Sequence, residues 1–184
     1  MAWEILQEDV LAKGNREIKK QVVRFPDGNI GNYYIIDGND TVLVIGHDNE
    51  KLICIRQYRH PINKTAIEFS SGVMENGETT EEAARREFRE ETGYSATKMR
   101  LLGSFYESFG TAKHKMHVYL ATQLQKGEQE MDRGDKGYED IEVLTISMKE
   151  FHHMILNGEI EGMASILAFY MLKDKLDSGE MKLE

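Results

Sequence analysis

Cysteine is almost absent from this 184-residue sequence, in which Cys54 is the only one. A single thiol excludes an internal disulfide framework and is typical of a protein kept in a reducing compartment. No apolar run approaches the roughly 18 residues that a membrane span needs. The acidic N-terminal stretch MAWEILQEDVLAKGN also lacks the apolar centre of a signal peptide. These absences predict a soluble, cytoplasmic protein in which Cys54 is a small buried apolar residue.

Basic residues are also scarce relative to acidic ones. The chain has 23 Lys and Arg against 32 Asp and Glu, for a net charge of −9. This balance argues against general nucleic-acid binding, which needs a basic surface. An anionic substrate would therefore need local help from a metal ion or a few placed arginines. The length and the 40% hydrophobic content fit one ordinary domain with a real core.

The first part of the chain has the pattern of strands separated by turns. Short β-branched and aromatic runs alternate with turn clusters, which predicts an antiparallel meander. The clusters are PDGN (26–29), DGND (37–40) and HDNE (47–50). Later segments predict further strands, a polar loop at 125–140 and two helices near the C-terminus. The mixture of strands and helices predicts an α/β or α+β sandwich.

One helix is predicted with defined ends in TTEEAARREFREETG. Thr79 and Glu82 have the spacing of a capping box, and Gly93 supplies a C-terminal stop. Ala84 and Phe88 lie one turn apart and are expected to face the core. The opposite side of this helix is strongly acidic.

Glu87, Glu90 and Glu91 fall within an arc of about 100° on such a helix. Like charges at this spacing cost a few tenths of a kcal/mol each, whereas Mg²⁺ prefers carboxylate oxygens as ligands. Arg86 and Arg89 offer another interpretation, because they could pair with these glutamates on an ordinary charged surface. The helix alone leaves a cation site and a solvated face open.

The residues before the helix decide between these interpretations. The fixed positions run Gly72, five residues, Glu78, seven residues, then Arg86-Glu87-Phe88-x-Glu90-Glu91-x-Gly93-Tyr94. This pattern resembles the Nudix box, the signature of the Nudix hydrolase superfamily. Gly72 and Gly77 are expected to form a tight glycine loop that exposes backbone carbonyls. The resemblance favours the cation site.

The resemblance extends over about residues 30 to 176. IRQYRHP, AIEFSSG, GSFYESFG, GYEDIEVLTIS and NGEIEGMASILAFYMLK are similar to segments of the branch that contains ADP-ribose pyrophosphatases and other nucleoside diphosphate sugar hydrolases. The resemblance implies a Nudix α/β/α sandwich with a mixed sheet and an N-terminal antiparallel β-extension. It also implies cleavage of a nucleoside diphosphate sugar, of the ADP-ribose, GDP-mannose or ADP-glucose type, with Mg²⁺ or Mn²⁺. The products would be a nucleoside monophosphate and a sugar phosphate.

The same resemblance assigns roles within the box. Glu87 and Glu91 would be the main metal ligands, and Glu90 would share a further ion, so that Glu90 and Glu91 count as catalytic. The carbonyl of Ser71 would complete the coordination. The remaining box residues would be structural: Gly72, Glu78, which braces the loop, and Arg86, which orients the glutamates.

Outside the box the resemblance implies a general base and substrate contacts. Glu139 is the predicted base, with Asp140 and Glu142 as alternatives. Arg56 would bind the diphosphate. Glu68 would lie near the metals, although a hydrogen-bonded structural carboxylate is an equal alternative.

The chain departs from the branch pattern at three places. Ser70-Ser71-Gly72 replaces Pro-Ala-Gly, which preserves the Ser71 carbonyl. Phe109 replaces the proline of SPG, which weakens the specific assignment to ADP-ribose. His114 and His117 stand where an acidic residue is common, and His117 is also explained as an ordinary strand residue.

Residues 1–45 are predicted to be a β-meander that dimerises, and residues 46–184 the Nudix hydrolase domain. A homodimer with a shared base pocket is implied by the branch, without membrane or nucleic-acid partners. Trp3, Tyr33 and Tyr34 could stack a base or pack in an interface. The alternatives are a non-catalytic nucleotide-sugar sensor and a housecleaning or RNA-cap pyrophosphohydrolase.

Overall fold

The computed structural model describes residues 2–129 and 140–183, which contain ten strands and three α-helices. The strands are β1 (Glu4–Lys13), β2 (Glu17–Arg24), β3 (Ile30–Asp37), β4 (Thr41–Asp48), β5 (Lys51–Arg59), β6 (Lys64–Glu68), β7 (Ser70–Val73), β8 (Tyr94–Tyr106), β9 (Lys115–Lys126) and β10 (Ile141–Ser147). The helices are α1 (Thr80–Thr92), α2 (Met148–Leu156) and α3 (Met163–Asp177). None of the helices in these two ranges is long and apolar enough to cross a membrane.

The chain divides into two compact units. The first consists of the chain up to Asp40 together with Phe105–Met116. It contains an antiparallel sheet in the order β1-β2-β3, with irregular register in β1 at Ile5/Gln7 and Val10/Ala12. Strand β1 is exposed along its whole length.

The second unit, Thr41–Ser104 with the chain from His117 onward, contains strands of a larger mixed sheet in the order β10-β5-β4-β9-β8. Strands β4 and β5 pair with each other only near their turn, where Gly46 lies opposite Ile53. Beyond that point β5 pairs with β6 and β4 pairs with β7. The segment 64–73 therefore fills the gap between two diverging strands.

Helix α1 packs on one face of this sheet. Its buried Ala84 and Phe88 join Val42, Val44 and Ile53 in the core. Because side chains alternate between the two faces of a strand, the strand residues of this cluster mark the face that α1 covers. The capping box of Thr79 and the left-handed Gly93 are present as predicted.

The other face of the sheet carries α2 and α3. Phe69 stacks on Phe151 with ring centroids 4.8 Å apart, and Phe151 contacts Phe169 at 5.1 Å. The backbone N–H of Phe69 also donates to Ser165 Oγ at 3.1 Å. Helices on both faces of a mixed sheet confirm the predicted α/β/α sandwich within this unit.

Candidate active site

Arg86 lies at the centre of the acidic side of α1. Its Nε and Nη2 donate to the two carboxylate oxygens of Glu78 at 2.8 and 3.0 Å. Its Nη1 donates to Glu87 at 2.8 Å and to Glu90 at 3.2 Å, and Nη2 reaches the Val73 carbonyl at 3.1 Å. These bonds, that to Glu78 first and that to Glu87 next, raise the pKa of the guanidinium. A permanent positive charge therefore orients three carboxylates.

Glu78 also shapes the turn before α1. Its Oε2 accepts from the backbone N–H of Glu75 at 2.8 Å, and its own N–H donates to the Glu75 carbonyl at 3.2 Å. Gly77 within this turn has φ +91°, a conformation that strongly favours glycine. The contacts fit the bracing role that was expected for Glu78.

Gly72 is not part of a tight loop, and that part of the sequence interpretation is wrong. It lies in β7 opposite Val42, without the left-handed backbone that Gly77 adopts. A methyl carbon on Gly72 would lie 2.0 Å from Cδ of Glu87 and 2.2 Å from each carboxylate oxygen. Glycine is needed here because the Glu87 carboxylate lies directly against the backbone of β7.

Glu91 is buried at 7% exposure. Its Oε2 accepts from the backbone N–H of Ser71 at 2.9 Å. Glu87 and Glu91 are thus held against adjacent residues of β7, and Glu90 joins them through Arg86. The structure brings together all three glutamates that the sequence singled out.

The donor set at this point fits a hard divalent cation, since carboxylate and backbone carbonyl oxygens are the ligands that Mg²⁺ and Mn²⁺ prefer. The buried hydroxyl of Ser70, next to Ser71, lacks a hydrogen-bond partner among the described atoms. Within residues 2–129 and 140–183, no three acidic, histidine or cysteine side chains already stand in a metal-binding arrangement. The glutamates instead share the donors of Arg86 and the Ser71 amide.

The predicted substrate residues lie apart from each other. Arg56 Nη1 donates to Glu142 Oε2 at 2.6 Å, directly across from it on β10, and both side chains are largely exposed. Glu68 instead accepts from Arg59 Nε at 2.7 Å. Because Glu68 lies opposite Ile55, strand alternation places it on the face covered by α1 and Arg56 on the other.

The predicted base is not placed by the structure, because Glu139 lies outside the described residues. Of its two alternatives, Asp140 is exposed and Glu142 is paired with Arg56. The identity of the base stays a prediction.

Two contacts at the site were missed from the sequence. Arg59 pairs with Glu68, and strand alternation along KLICIRQYR could have indicated that Arg59 and Arg56 point to opposite faces. Gln129 Nε2 donates to the Glu91 backbone carbonyl at 2.6 Å. No local pattern marks Gln129, since its partner is 38 residues away.

The two histidines that replace an acidic residue have separate surroundings. His114, in the first unit, is buried and shares a hydrogen bond of 2.7 Å with Glu107. His117 lies in β9 and its Nδ1 is 2.7 Å from Ser104 Oγ. The strand interpretation of His117 matches its position in β9.

A family model described as NUDIX domain matches residues 38–161. This chain belongs to the Nudix family. The membership predicted from the glycine, glutamate and arginine spacing is confirmed, and the half-buried cluster around Arg86 is formed by residues of the Nudix box.

Curated relatives agree with this membership. The chain is 28% identical to a Bacillus subtilis ADP-ribose pyrophosphatase over 93% of this chain and 92% of that protein. It is 36% identical to a Bacillus methanolicus methanol dehydrogenase activator, covering 71% and 72%. It is 30% identical to a Klebsiella pneumoniae GDP-mannose pyrophosphatase, covering 76% and 73%.

The crystal structure of an ADP compounds hydrolase superposes with a TM-score of 0.85. It covers 97% of this chain and 96% of that chain at 20% identity. At this identity the likeness bears on the fold alone, and it confirms the predicted Nudix fold.

Proposed function

We propose that this Nudix protein hydrolyses the diphosphate of nucleoside diphosphate sugars, with Mg²⁺ or Mn²⁺, to a nucleoside monophosphate and a sugar phosphate. The observation that carries the proposal is that Glu87 and Glu91 lie against adjacent residues of β7, while Arg86 joins Glu90 to Glu87. The names of two relatives, an ADP-ribose pyrophosphatase and a GDP-mannose pyrophosphatase, support the substrate class.

Glu87 and Glu91, with Glu90 and the Ser71 carbonyl, would hold the divalent ions. Bound there, the ions would neutralise diphosphate charge and lower the pKa of a bound water. Local cations reverse the sign of the field, which lets a chain with net charge −9 act on an anion.

Side chains and backbone groups of the protein hold the proposed metal ligands in place. Arg86 holds Glu87 and Glu90 by charge-assisted hydrogen bonds. The Ser71 amide orients Glu91 from the strand side. The absence of a side chain at Gly72 leaves room for the Glu87 carboxylate.

The direct test is a product assay with ADP-ribose, GDP-mannose, ADP-glucose and UDP-glucose, each with Mg²⁺, followed by a phosphatase that releases phosphate from monophosphate products. Glu91→Gln should lower kcat by at least about 100-fold. The substitution changes a proposed metal ligand, and even residues that only orient metal ligands contribute about 10–100-fold. Glu81→Gln is the matched control, since Glu81 pairs with Arg85 on the surface of the same helix. Equal turnover by both variants would refute the proposal.

The general base needs a separate test. We propose Glu139 for this role, and Glu139→Gln should lower kcat by about 10²–10⁴ with little change in KM. Asp140→Asn and Glu142→Gln serve as comparison variants. Near-wild-type turnover of Glu139→Gln, with a large loss in one of the others, would transfer the role to that residue.

A role without catalysis is the alternative. A protein that binds nucleotide sugars as a sensor would bind one of these compounds in calorimetry and release no monophosphate. The complete set of box glutamates argues for hydrolysis, so we expect both binding and turnover.

We also propose that the first unit forms a homodimer. Ile18, Ile30, Tyr34 and Ile36 are exposed large residues on the same face of its sheet, because Ile18 lies opposite Ile36 and the other two are on the same side of β3. Such a contiguous apolar face is typical of an interface. Light scattering should give a dimer for the wild type and for Leu101→Lys, and a monomer for Ile30→Lys. A monomeric wild type would rule the dimer out.

A further inference from the structure

The last carbonyls of α1 take partners both inside and outside the helix. Helix ends leave such carbonyls without intrahelical donors. The Arg89 carbonyl accepts from the Gly93 N–H at 2.8 Å, and the Phe88 carbonyl accepts from the Thr92 hydroxyl. The Glu91 carbonyl accepts from another part of the chain. Glu91 is also the residue whose carboxylate is bound by β7, so its backbone partner bears on the site.

That partner is Gln129, which follows the end of β9. Its side-chain Nε2 donates to the Glu91 carbonyl at 2.6 Å and to the Ile141 carbonyl at 3.4 Å. An amide NH₂ has two hydrogens and can make both bonds. Ile141 is the first residue of β10. One side chain thus connects the end of the acidic helix to the start of an adjacent strand.

The backbone around Gln129 is also held against α1. The Gly127 N–H donates to the Gly93 carbonyl at 2.7 Å. A methyl carbon on Gly93 would lie 3.0 Å from backbone atoms of Gly127, Glu128 and Gln129. Residues 127–129 are therefore packed closely against Gly93 at the end of α1. This packing fixes the position from which the Gln129 side chain reaches Glu91.

We propose that Gln129 is a positioning residue for Glu91, a role that rests on the proposed function of the site. Glu91 is then held at two points: its carboxylate by the Ser71 amide and its backbone carbonyl by the Gln129 amide. By these bonds Gln129 fixes the orientation of Glu91 and therefore of its carboxylate. It also fixes the position of the end of α1 relative to the start of β10. It does not contact substrate or metal.

Three variants test this role. Gln129→Met keeps the length of the side chain and removes its donors. Gln129→Lys restores donors on a chain of similar length. Gln125→Met is the matched control, because Gln125 is an exposed glutamine of the same strand end. Gln129 is itself largely exposed, so none of these substitutions opens a cavity and all three proteins are expected to fold.

Two quantities are measured for each variant: kcat and KM in the product assay, and the affinity of the protein for Mn²⁺ alone by calorimetry. Gln129→Met should lower kcat about 3–10-fold, the range expected for one or two lost hydrogen bonds. KM should stay within about twofold, because uniform substrate binding is unaffected. Mn²⁺ affinity should fall with kcat, Gln129→Lys should recover most of both, and Gln125→Met should match the wild type.

Equal kcat and equal Mn²⁺ affinity in Gln129→Met and Gln125→Met would overturn the proposal. A lower Tm with both quantities unchanged would also overturn it, since that is the result of a merely structural contact. If the wild type binds Mn²⁺ but cleaves no diphosphate, the proposed function fails and the Mn²⁺ affinities alone decide the role of Gln129. If the wild type binds no Mn²⁺, both the proposed function and the proposed role of Gln129 are refuted.

Discussion

Each of the two units contains a cation surrounded by three carboxylates, and the two clusters differ in construction. In the first unit, Lys19 lies 2.7 Å from Asp37, 3.3 Å from Glu17 and 3.7 Å from Glu8, residues that come from three different strands. In the second unit, the carboxylates around Arg86 come from α1 and the turn before it. A count of charges would not distinguish them.

The two clusters differ in the groups, other than the central cation, that contact the carboxylates. Around Lys19 the acidic groups have the lysine as their common partner, with Lys113 as a second cation for Asp37. At the second cluster, Gly72 of β7 leaves room for the carboxylate of Glu87, and the adjacent Ser71 amide holds the carboxylate of Glu91, on the same helix. The comparison supports the proposed metal site at the second cluster, because oriented carboxylates lie beside open backbone there, whereas the first cluster has only crowded negative charge.

Among the changes that compare the two clusters, the largest effect is expected from closing the space beside β7. Gly72→Ala places a methyl group 2.0 Å from Glu87 Cδ, so the carboxylate must move. A displacement of about 1 Å at a reacting centre can cost about 100-fold in rate, and we expect kcat/KM to fall by at least that factor. Gly14→Ala is the control, since its nearest neighbour would be 3.9 Å away. Wild-type turnover in Gly72→Ala would show that Glu87 need not lie against β7.

A smaller effect should separate the two clusters by function. Arg86→Lys keeps the charge but loses the planar group that reaches Glu78 and Glu87 together. Residues that orient metal ligands typically contribute about 10–100-fold to activity, and we expect a loss of kcat in that range. Lys19→Met should leave kcat/KM within about twofold, because none of the carboxylates around Lys19 is a proposed metal ligand or catalytic residue. The comparison fails if Lys19→Met lowers kcat as much as Arg86→Lys does.

Much of the second unit was predictable because its signals are local. The capping box at Thr79, the stop at Gly93 and the buried Phe88 follow from residues within one helix. Strands β6 and β7 were not recognised, since Ser70, Ser71 and Gly72 lack the β-branched and aromatic residues that mark strands. They form strands because β4 and β5 diverge and leave backbone groups to be paired.

In the candidate site, too, the features set by local sequence were predictable and those set by tertiary contacts were not. The spacing of the box predicted which glutamates converge, but not why Gly72 is required. That reason is a contact between a strand and a helix, and it appears only once α1 packs on the sheet. The partners of Glu68 and of the Glu91 carbonyl were missed for the same reason, since Arg59 and Gln129 are brought to them by strand pairing and chain reversal.

The smallest expected effect concerns the acid stability of the Lys19 cluster. The hydrogen bond to Lys19 lowers the pKa of Asp37 below its ordinary value of 3.8. Bonds to Lys13 and Lys19 likewise lower that of Glu17 below 4.5. A carboxyl whose folded pKa is depressed contributes stability that is present above the unfolded pKa and is lost as the pH falls through the folded pKa.

The wild type should therefore be more stable than Lys19→Met at pH 7, and the difference should shrink as the pH falls below about 4. Urea unfolding of both proteins at pH 7, 5, 4 and 3 measures it, with Lys20→Met, an adjacent lysine of β2, as the control. A difference that persists unchanged at pH 3 would mean that Lys19 stabilises the protein by something other than its pairing with ionised carboxylates. In that case the first cluster would share with the second only its composition, because its charges would contribute nothing to the fold.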